Sequence, residues 1–135
     1  MGPAATRMPS ESTPAAPLIG IVGPCGSGKS TLAARLAGRR IRARAVAQEH
    51  SFVPAMWQRL TRPDLLVYLQ ASYDVCTQRR QLNWAVWEYA EQLRRLAHAF
   101  EHADLHVDTD RLTPDEVLAA VVDGLGLEPP APAGV

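Results

Sequence analysis

The residues with the clearest chemical potential lie in the segment GPCGSGKST, residues 23–31. Its first eight residues match the pattern G-x-x-x-x-G-K-[ST], and they stand between an apolar run and a helical pattern. A glycine-rich turn at the start of a helix presents backbone N–H groups to a ligand, and the helix dipole adds to its attraction for anions. The segment is therefore predicted to bind phosphate groups. An ordinary glycine-rich turn before a helix is the alternative.

Several residue types in this segment suit particular parts of a nucleoside triphosphate. Glycines at positions 26 and 28 allow the backbone angles and the close approach that a phosphate cradle needs. Lys29 is expected to reach the β- and γ-phosphates, and the Ser30 hydroxyl is expected to ligate Mg²⁺. A thiol at a helix N-terminus can be activated, but Cys25 is expected to be simply a small residue there. The predicted nucleotide-binding residues are Gly23, Pro24, Cys25, Gly26, Ser27, Gly28, Lys29, Ser30 and Thr31.

The elements that must position this segment follow from hydrophobic patterning. Short apolar or alternating runs predict strands at residues 18–23, 41–47, 65–69 and 105–107. Helical spacing predicts helices at residues 30–37, 53–60, 73–81, 83–102 and 113–125, with Gly38 as the left-handed cap of the first. Strands that alternate with helices favour an α/β fold, with a parallel sheet covered by helices on both faces.

In such folds, ligands bind at the carboxyl ends of the strands. Glu49 follows the second strand and is the best carboxylate for holding Mg²⁺ or accepting a proton, with His50 beside it. A plain surface turn explains Glu49 equally well. Residues 70–74 and 108–111 follow the third and fourth strands, and the second of these segments also suits an Asx turn and a helix cap.

Together with the segment at 23–31, residues 62–80 and 103–125 resemble P-loop kinases of the nucleoside monophosphate kinase and thymidylate kinase type. The resemblance implies membership of the P-loop NTPase superfamily and a three-layer α/β/α fold with a short sheet of about four parallel strands. It also implies Mg²⁺ with ATP or GTP, and places Arg79 and Arg80 in a lid over the transferring phosphoryl group. The alternative for both arginines is a solvated helix end. The loop after the last strand would contact the nucleobase.

Two functions follow from these features. The first is a kinase that transfers the γ-phosphoryl group to an unidentified small acceptor, with Lys29, Glu49, Arg79 and Arg80 as catalytic residues. The second is a nucleotide-binding regulatory module or slow NTPase, which is suggested by the short chain between Gly38 and Arg62 and the lack of a substrate-capping domain. A Ras-type GTPase is disfavoured because the chain has no [NT]KxD motif.

Two further groups of side chains have competing interpretations. His98 and His102 are one helical turn apart and could bind a metal, but histidines on a polar helix face are the more common explanation. Trp84 and Trp87 could form a stacking wall for a base. Their spacing favours instead the buried stripe of the predicted helix at 83–102.

Composition limits the class of protein. A length of 135 residues predicts one domain, at 18–127. Disordered tails are predicted at 1–17 and 128–135, and Met8 is an alternative start of translation. Fourteen basic residues balance 14 acidic ones, so the net charge gives no reason to expect binding to nucleic acid or to a membrane surface. Two cysteines and the lack of a long apolar run predict a cytoplasmic protein. The oligomeric state is left open.

Overall fold

A computed structural model describes residues 16–127. Apart from Ala16 and Pro17, which have no regular secondary structure, the two predicted tails lie outside the described residues, as does the alternative start at Met8. The strands are β1 (Ile19–Val22), β2 (Ala43–Ala45), β3 (Leu65–Gln70) and β4 (Leu105–Asp108). The α-helices are α1 (Lys29–Gly38), α2 (Tyr73–Arg80), α3 (Val86–Arg95), α4 (Ala97–His102) and α5 (Pro114–Gly124). A 3₁₀ turn spans Gln48–His50 and a π-helical turn spans Trp57–Thr61.

The four strands form one parallel sheet in the order β2-β1-β3-β4. Ile19 of β1 pairs with Ala43 of β2 on one side and with Leu65 of β3 on the other. The predicted α/β class with a short parallel sheet is thus confirmed. The second strand lies at the edge of the sheet, as predicted, but is shorter than residues 41–47.

Successive residues of β1 point to opposite faces of the sheet, and each face has its own core. On one face, Ile19 and Ile21 belong to a cluster that includes Leu36 of α1 and Val121 of α5. On the other face, Val22 belongs to a cluster with buried side chains of the π-helical turn, β3 and α4. Helices therefore cover both faces, and the central strand is fully buried between them.

The predicted helix at 83–102 is wrong in extent. Two shorter helices, α3 and α4, replace it, and Glu88 accepts a hydrogen bond from the backbone N–H of Ala85, which starts α3 after Trp84. Trp87 is 70% exposed, so the predicted buried stripe does not include it. Helical spacing alone could not show where α3 begins or which of its faces meets the core.

Two other local predictions are corrected by backbone geometry. Gly38 is the last residue of α1 rather than its left-handed cap, and the left-handed conformation falls two residues later, at Arg40 with φ of 62°. The helix predicted at 53–60 is replaced by the π-helical turn, which ends at Thr61 and is followed by the left-handed residue Arg62. Trp57 fills the core there, whereas Leu60 is 76% exposed. Within the described part of the chain, no helix combines the length and the apolar character needed to cross a membrane.

Candidate functional site

The connection between β1 and α1, residues 23–28, is called the glycine loop below. The loop begins at the carboxyl end of the central strand and ends at Gly28, which precedes α1 and has a φ of 102°. Gly26 has φ of 89°, and a Cβ atom there would lie 2.7 Å from the carbonyl oxygen of Cys76 in α2. Only glycine allows the loop to lie this close to the backbone of α2.

Lys29 folds back over the glycine loop. Its Nζ donates hydrogen bonds to the carbonyl oxygens of Gly23 at 2.8 Å and Pro24 at 3.2 Å, and to Glu49 Oε2 at 2.9 Å. The Lys29 side chain is only 11% exposed, so it is not the exposed lysine that a glycine-rich surface loop suggests. Its ammonium group is held beside the loop by three oxygen atoms.

Glu49 lies in the 3₁₀ turn after β2, and its side chain is 4% exposed. The turn is anchored by Gln48, which accepts a hydrogen bond from the backbone N–H of Trp57 and donates one to the carbonyl of Val53. One carboxylate oxygen of Glu49 bonds to Lys29, whereas Oε1 is buried with no hydrogen-bond partner among the described residues. The surface-turn interpretation of Glu49 is therefore wrong, because this carboxylate is buried and half of it is unsatisfied.

Arg79 reaches the same region from the last turn of α2. Its guanidinium donates to Thr109 Oγ1 at 2.9 Å and to the Thr109 carbonyl oxygen. Thr109 is 1% exposed and follows β4, where its Oγ1 also contacts the carbonyl oxygen of Gln70 at 3.1 Å. Arg79 is exposed, but its two bonds to Thr109 orient its guanidinium at the carboxyl end of β4. Arg80 is also exposed, as a solvated helix end would be.

These residues surround a cavity of about 670 Å³, called the loop cavity below. Of the predicted site residues, its lining includes Cys25, Gly26, Ser27, Gly28, Lys29, Ser30, Thr31, Glu49, Arg79 and Arg80, together with His50 and Thr109. Gly23 and Pro24 do not line it and contribute the carbonyl oxygens that hold Lys29. Lys29 and the two arginines outnumber the single carboxylate in the lining, so the cavity favours an anion.

A second cavity of about 480 Å³ has Pro24 of the glycine loop in its wall and is called the acidic cavity below. Asp108 and Asp110 line it with Glu101, so these aspartates face a different space from Thr109. The backbone N–H of Asp110 donates to Asp108 Oδ1 at 3.0 Å, which is the Asx turn expected for this segment. Asp110 Oδ1 also accepts a hydrogen bond from the backbone N–H of Ser72, which connects the segments that follow β3 and β4.

Gln92 was not among the predicted site residues, although it supports the glycine loop. Its Oε1, on α3, accepts the backbone N–H of Cys25 at 2.9 Å. The two residues are far apart in the chain, and no local pattern marks a glutamine that bonds to a distant backbone. This contact uses one of the loop's N–H groups and fixes its orientation from outside the sheet.

The two histidines and Trp84 make packing and hydrogen-bond contacts within the protein. His98 Nδ1 accepts a hydrogen bond from the indole N–H of Trp57 at 3.1 Å. The rings of His98 and His102 stack at 4.1 Å. Trp84 stacks on Tyr73 and donates its indole N–H to Thr77, so it packs beside α2 rather than within a helix.

No protein-family model matches this chain, and no curated protein matches it either.

The two cysteines should differ sharply in reactivity. Cys25 lines the loop cavity, whereas Cys76 is 0% exposed and burial raises the pKa of its thiol to about 11. At about pH 8, only about one Cys76 thiol in a thousand would be ionised, so we expect iodoacetamide to modify Cys25 at least about 100-fold faster. Peptide mass spectrometry over a time course measures both rates. Comparable rates in the folded protein would contradict the different environments described here.

Proposed function

We propose that this chain is a P-loop protein that binds ATP or GTP with Mg²⁺ in the loop cavity and transfers the γ-phosphoryl group to a small acceptor. The observation that carries the proposal is the position of Lys29. This lysine follows the glycine loop, begins α1, and holds its ammonium group against the loop carbonyls and Glu49. The same place in the chain carries the G-x-x-x-x-G-K-[ST] pattern.

Charge and space support binding of a triphosphate. The cavity of about 670 Å³ lies within the range of roughly 300–1,000 Å³ that is usual for ligand sites. The start of α1 offers backbone N–H groups without intrahelical partners, and no acidic residue occupies its first turn. The bonds of Lys29 to loop carbonyls can be exchanged for bonds to phosphate oxygens, which are stronger acceptors.

Ser30 and Glu49 fit an oxygen-ligand site for Mg²⁺. Both line the loop cavity, and the Glu49 carboxylate keeps one buried oxygen without a partner. Mg²⁺ binds through hard oxygen ligands, and its chemistry there would be to neutralise charge on the β- and γ-phosphates. The role of Glu49 is to orient that cation or to accept a proton from the acceptor, and Ser30 contributes its hydroxyl.

Arg79 and Arg80 are proposed to stabilise the negative charge that develops during transfer. Both line the loop cavity, and Arg79 is oriented by two bonds to Thr109. A pre-oriented guanidinium needs little reorganisation when charge develops next to it, which is the condition for effective electrostatic stabilisation. The lining also includes Leu112 and Pro114, which would offer apolar contacts to a nucleobase.

The acidic cavity favours a kinase over a purely regulatory module. Pro24 of the glycine loop forms part of its wall, so a small molecule in it would lie against the glycine loop. Tyr89 and Phe100 contribute aromatic surface, and Asp108 and Asp110 contribute hydrogen-bond acceptors for hydroxyl or amino groups. A regulatory module or slow NTPase remains the outcome if no acceptor is phosphorylated in a screen with labelled ATP.

Thermal stabilisation tests the nucleotide proposal directly. A ligand that binds only the folded state adds about 2.7 kcal/mol at a hundredfold excess over its Kd. For a domain of this size, saturating Mg-ATP or Mg-GTP should therefore raise the melting midpoint by about 10 °C. The measurement is a differential scanning calorimetry or fluorescence melt, with both nucleotides compared at equal concentration.

AMP and the omission of Mg²⁺ provide the controls. AMP lacks the β- and γ-phosphates that Lys29 is proposed to bind, so its shift should be much smaller. Without Mg²⁺, the shift with either triphosphate should decrease. A folded protein that shows no shift with any nucleoside triphosphate would refute the proposed function.

A further inference from the structure

We propose that Cys25, Glu49 and His50 form a binding site for a thiophilic divalent cation of the zinc class. Each residue offers one ligand atom, and the three atoms lie within 4.8 Å of one another. Thiolate, imidazole and carboxylate are the ligands that zinc sites use, and three protein ligands with one open position is the usual arrangement of a reactive zinc site. Among the described residues, no other group of three such side chains comes together in this way.

The Glu49 carboxylate gives an independent reason to expect a cation here. Its side chain is 4% exposed, and its Oε1 has no hydrogen-bond partner within the described chain. An unsatisfied buried carboxylate oxygen costs free energy, and a bound cation removes that cost. Lys29 bonds to Oε2 at 2.9 Å, and His50 Nε2 lies 3.7 Å from the same oxygen. A metal ion bound by this carboxylate would therefore lie beside the Lys29 ammonium group.

The geometry requires only a small contraction. Tetrahedral zinc places its sulfur, nitrogen and oxygen ligands about 2.0–2.3 Å from the metal, and hence roughly 3.3–3.8 Å from one another. The ligand atoms now lie within 4.8 Å, and the His50 side chain is 58% exposed and can rotate toward the site. On binding, the Cys25 thiol releases its proton to solvent and its sulfur forms the bond to the metal.

The ligand set discriminates between metals. Mg²⁺ prefers oxygen ligands and does not gain from a thiolate, whereas zinc, cobalt(II) and similar ions do. The site therefore overlaps the proposed Mg²⁺ position of Ser30 and Glu49 at the Glu49 carboxylate, but its sulfur and nitrogen ligands favour a different class of metal. Because all three proposed ligands line the loop cavity, a thiophilic metal would occupy part of the space available to a nucleotide.

Cobalt(II) alone, without nucleotide, is the probe for the site. Titration of the reduced full chain should produce a thiolate-to-cobalt charge-transfer band that saturates at one ion per chain, and added zinc should remove the band. Cys25→Ser should abolish the band, and His50→Gln, an exposed substitution that spares the core, should weaken cobalt binding by at least about tenfold. Circular dichroism establishes that each variant is folded.

Cys76→Ala is the matched control, because it removes the other thiol and leaves the three ligands in place. This variant should retain the cobalt band at full intensity. A wild-type protein that shows no charge-transfer band would overturn the proposed site. A band that survives Cys25→Ser but disappears in Cys76→Ala would overturn it equally.

A second measurement, which rests on the proposed function, tests whether zinc and Mg-ATP compete for the loop cavity. Zinc should reduce the thermal shift caused by excess Mg-ATP in the wild-type protein, and should have much less effect on Cys25→Ser. Equal effects on both proteins would refute competition at this site. If Mg-ATP gives no shift at all, the nucleotide proposal fails while the cobalt titration still decides the metal site.

Discussion

Replacing Lys29 with alanine is expected to lower the affinity for Mg-ATP by at least about 100-fold, a loss of about 2.7 kcal/mol. The ammonium group is the cation held closest to the glycine loop, with bonds to two loop carbonyls and Glu49. Hydrogen bonds between a charged donor and phosphate contribute about 1.5–3 kcal/mol each, so loss of this one group is sufficient. Isothermal titration calorimetry on the purified variant measures the change.

The same substitution should also reduce stability. The side chains of Lys29 and Glu49 are 11% and 4% exposed, and removing the lysine leaves a buried carboxylate without its charge partner. Breaking a buried pair in this way costs about 3 kcal/mol or more. Chemical denaturation of Lys29→Ala therefore has to accompany the binding measurement, because a partly unfolded variant would mimic a loss of affinity.

A double variant separates the two effects. Lys29→Met with Glu49→Gln removes both charges and keeps most of the buried volume, so it should recover much of the lost stability. It should still fail to bind nucleotide, because the cation is absent. A Lys29→Ala protein that binds Mg-ATP as tightly as the parent would show that the phosphate site has been assigned to the wrong loop.

The second large effect is expected for Gly26→Ala, which should lower the free energy of unfolding by about 3 kcal/mol. An alanine there would have to adopt φ of 89°, and its Cβ would lie 2.7 Å from the Cys76 carbonyl oxygen and 2.9 Å from the Cys76 Cα. Both atoms belong to the backbone of α2, so neither can move without shifting the helix. The melting midpoint is expected to fall by about 10 °C.

Gly28→Ala is the matched control within the same loop. Its φ of 102° is also unfavourable for alanine, but a Cβ atom there meets nothing within 4 Å. We expect a stability loss of only about 1–2 kcal/mol, from backbone conformation alone. Equal destabilisation by the two substitutions would show that close packing of the loop on α2 contributes little.

The order and the approximate positions of the strands were predictable because they depend on local patterns. The apolar run at residues 18–23 and the run at 65–69 each have the length and composition of a buried parallel strand, and both are central strands of the sheet. The glycine loop was equally predictable, since the spacing of its glycines, lysine and serine is the G-x-x-x-x-G-K-[ST] pattern itself. The position of Glu49 near that loop followed from the rule that strand ends share one edge. Arg79 lies at the end of a helix, and only the resemblance to P-loop kinases placed it there.

What could not be predicted depends on contacts between distant residues. The start of α3 at Val86 depends on Glu88 capping Ala85 and on Trp84 packing against Tyr73, neither of which appears as a period in the sequence. The bond from the Cys25 N–H to Gln92 is of the same kind. The burial of Glu49 was also hidden, because charged residues after a strand are usually exposed.

The all-parallel sheet also constrains how the chain folds. None of its three pairings, β1 with β2, β1 with β3 and β3 with β4, joins strands through a tight hairpin, and each must enclose at least one helix. Closing such long segments costs entropy before the pairing contributes any stability, which slows folding relative to a helical bundle of equal length. The glycine loop and Glu49 follow β1 and β2, so the candidate site takes shape only when these non-local pairings have formed.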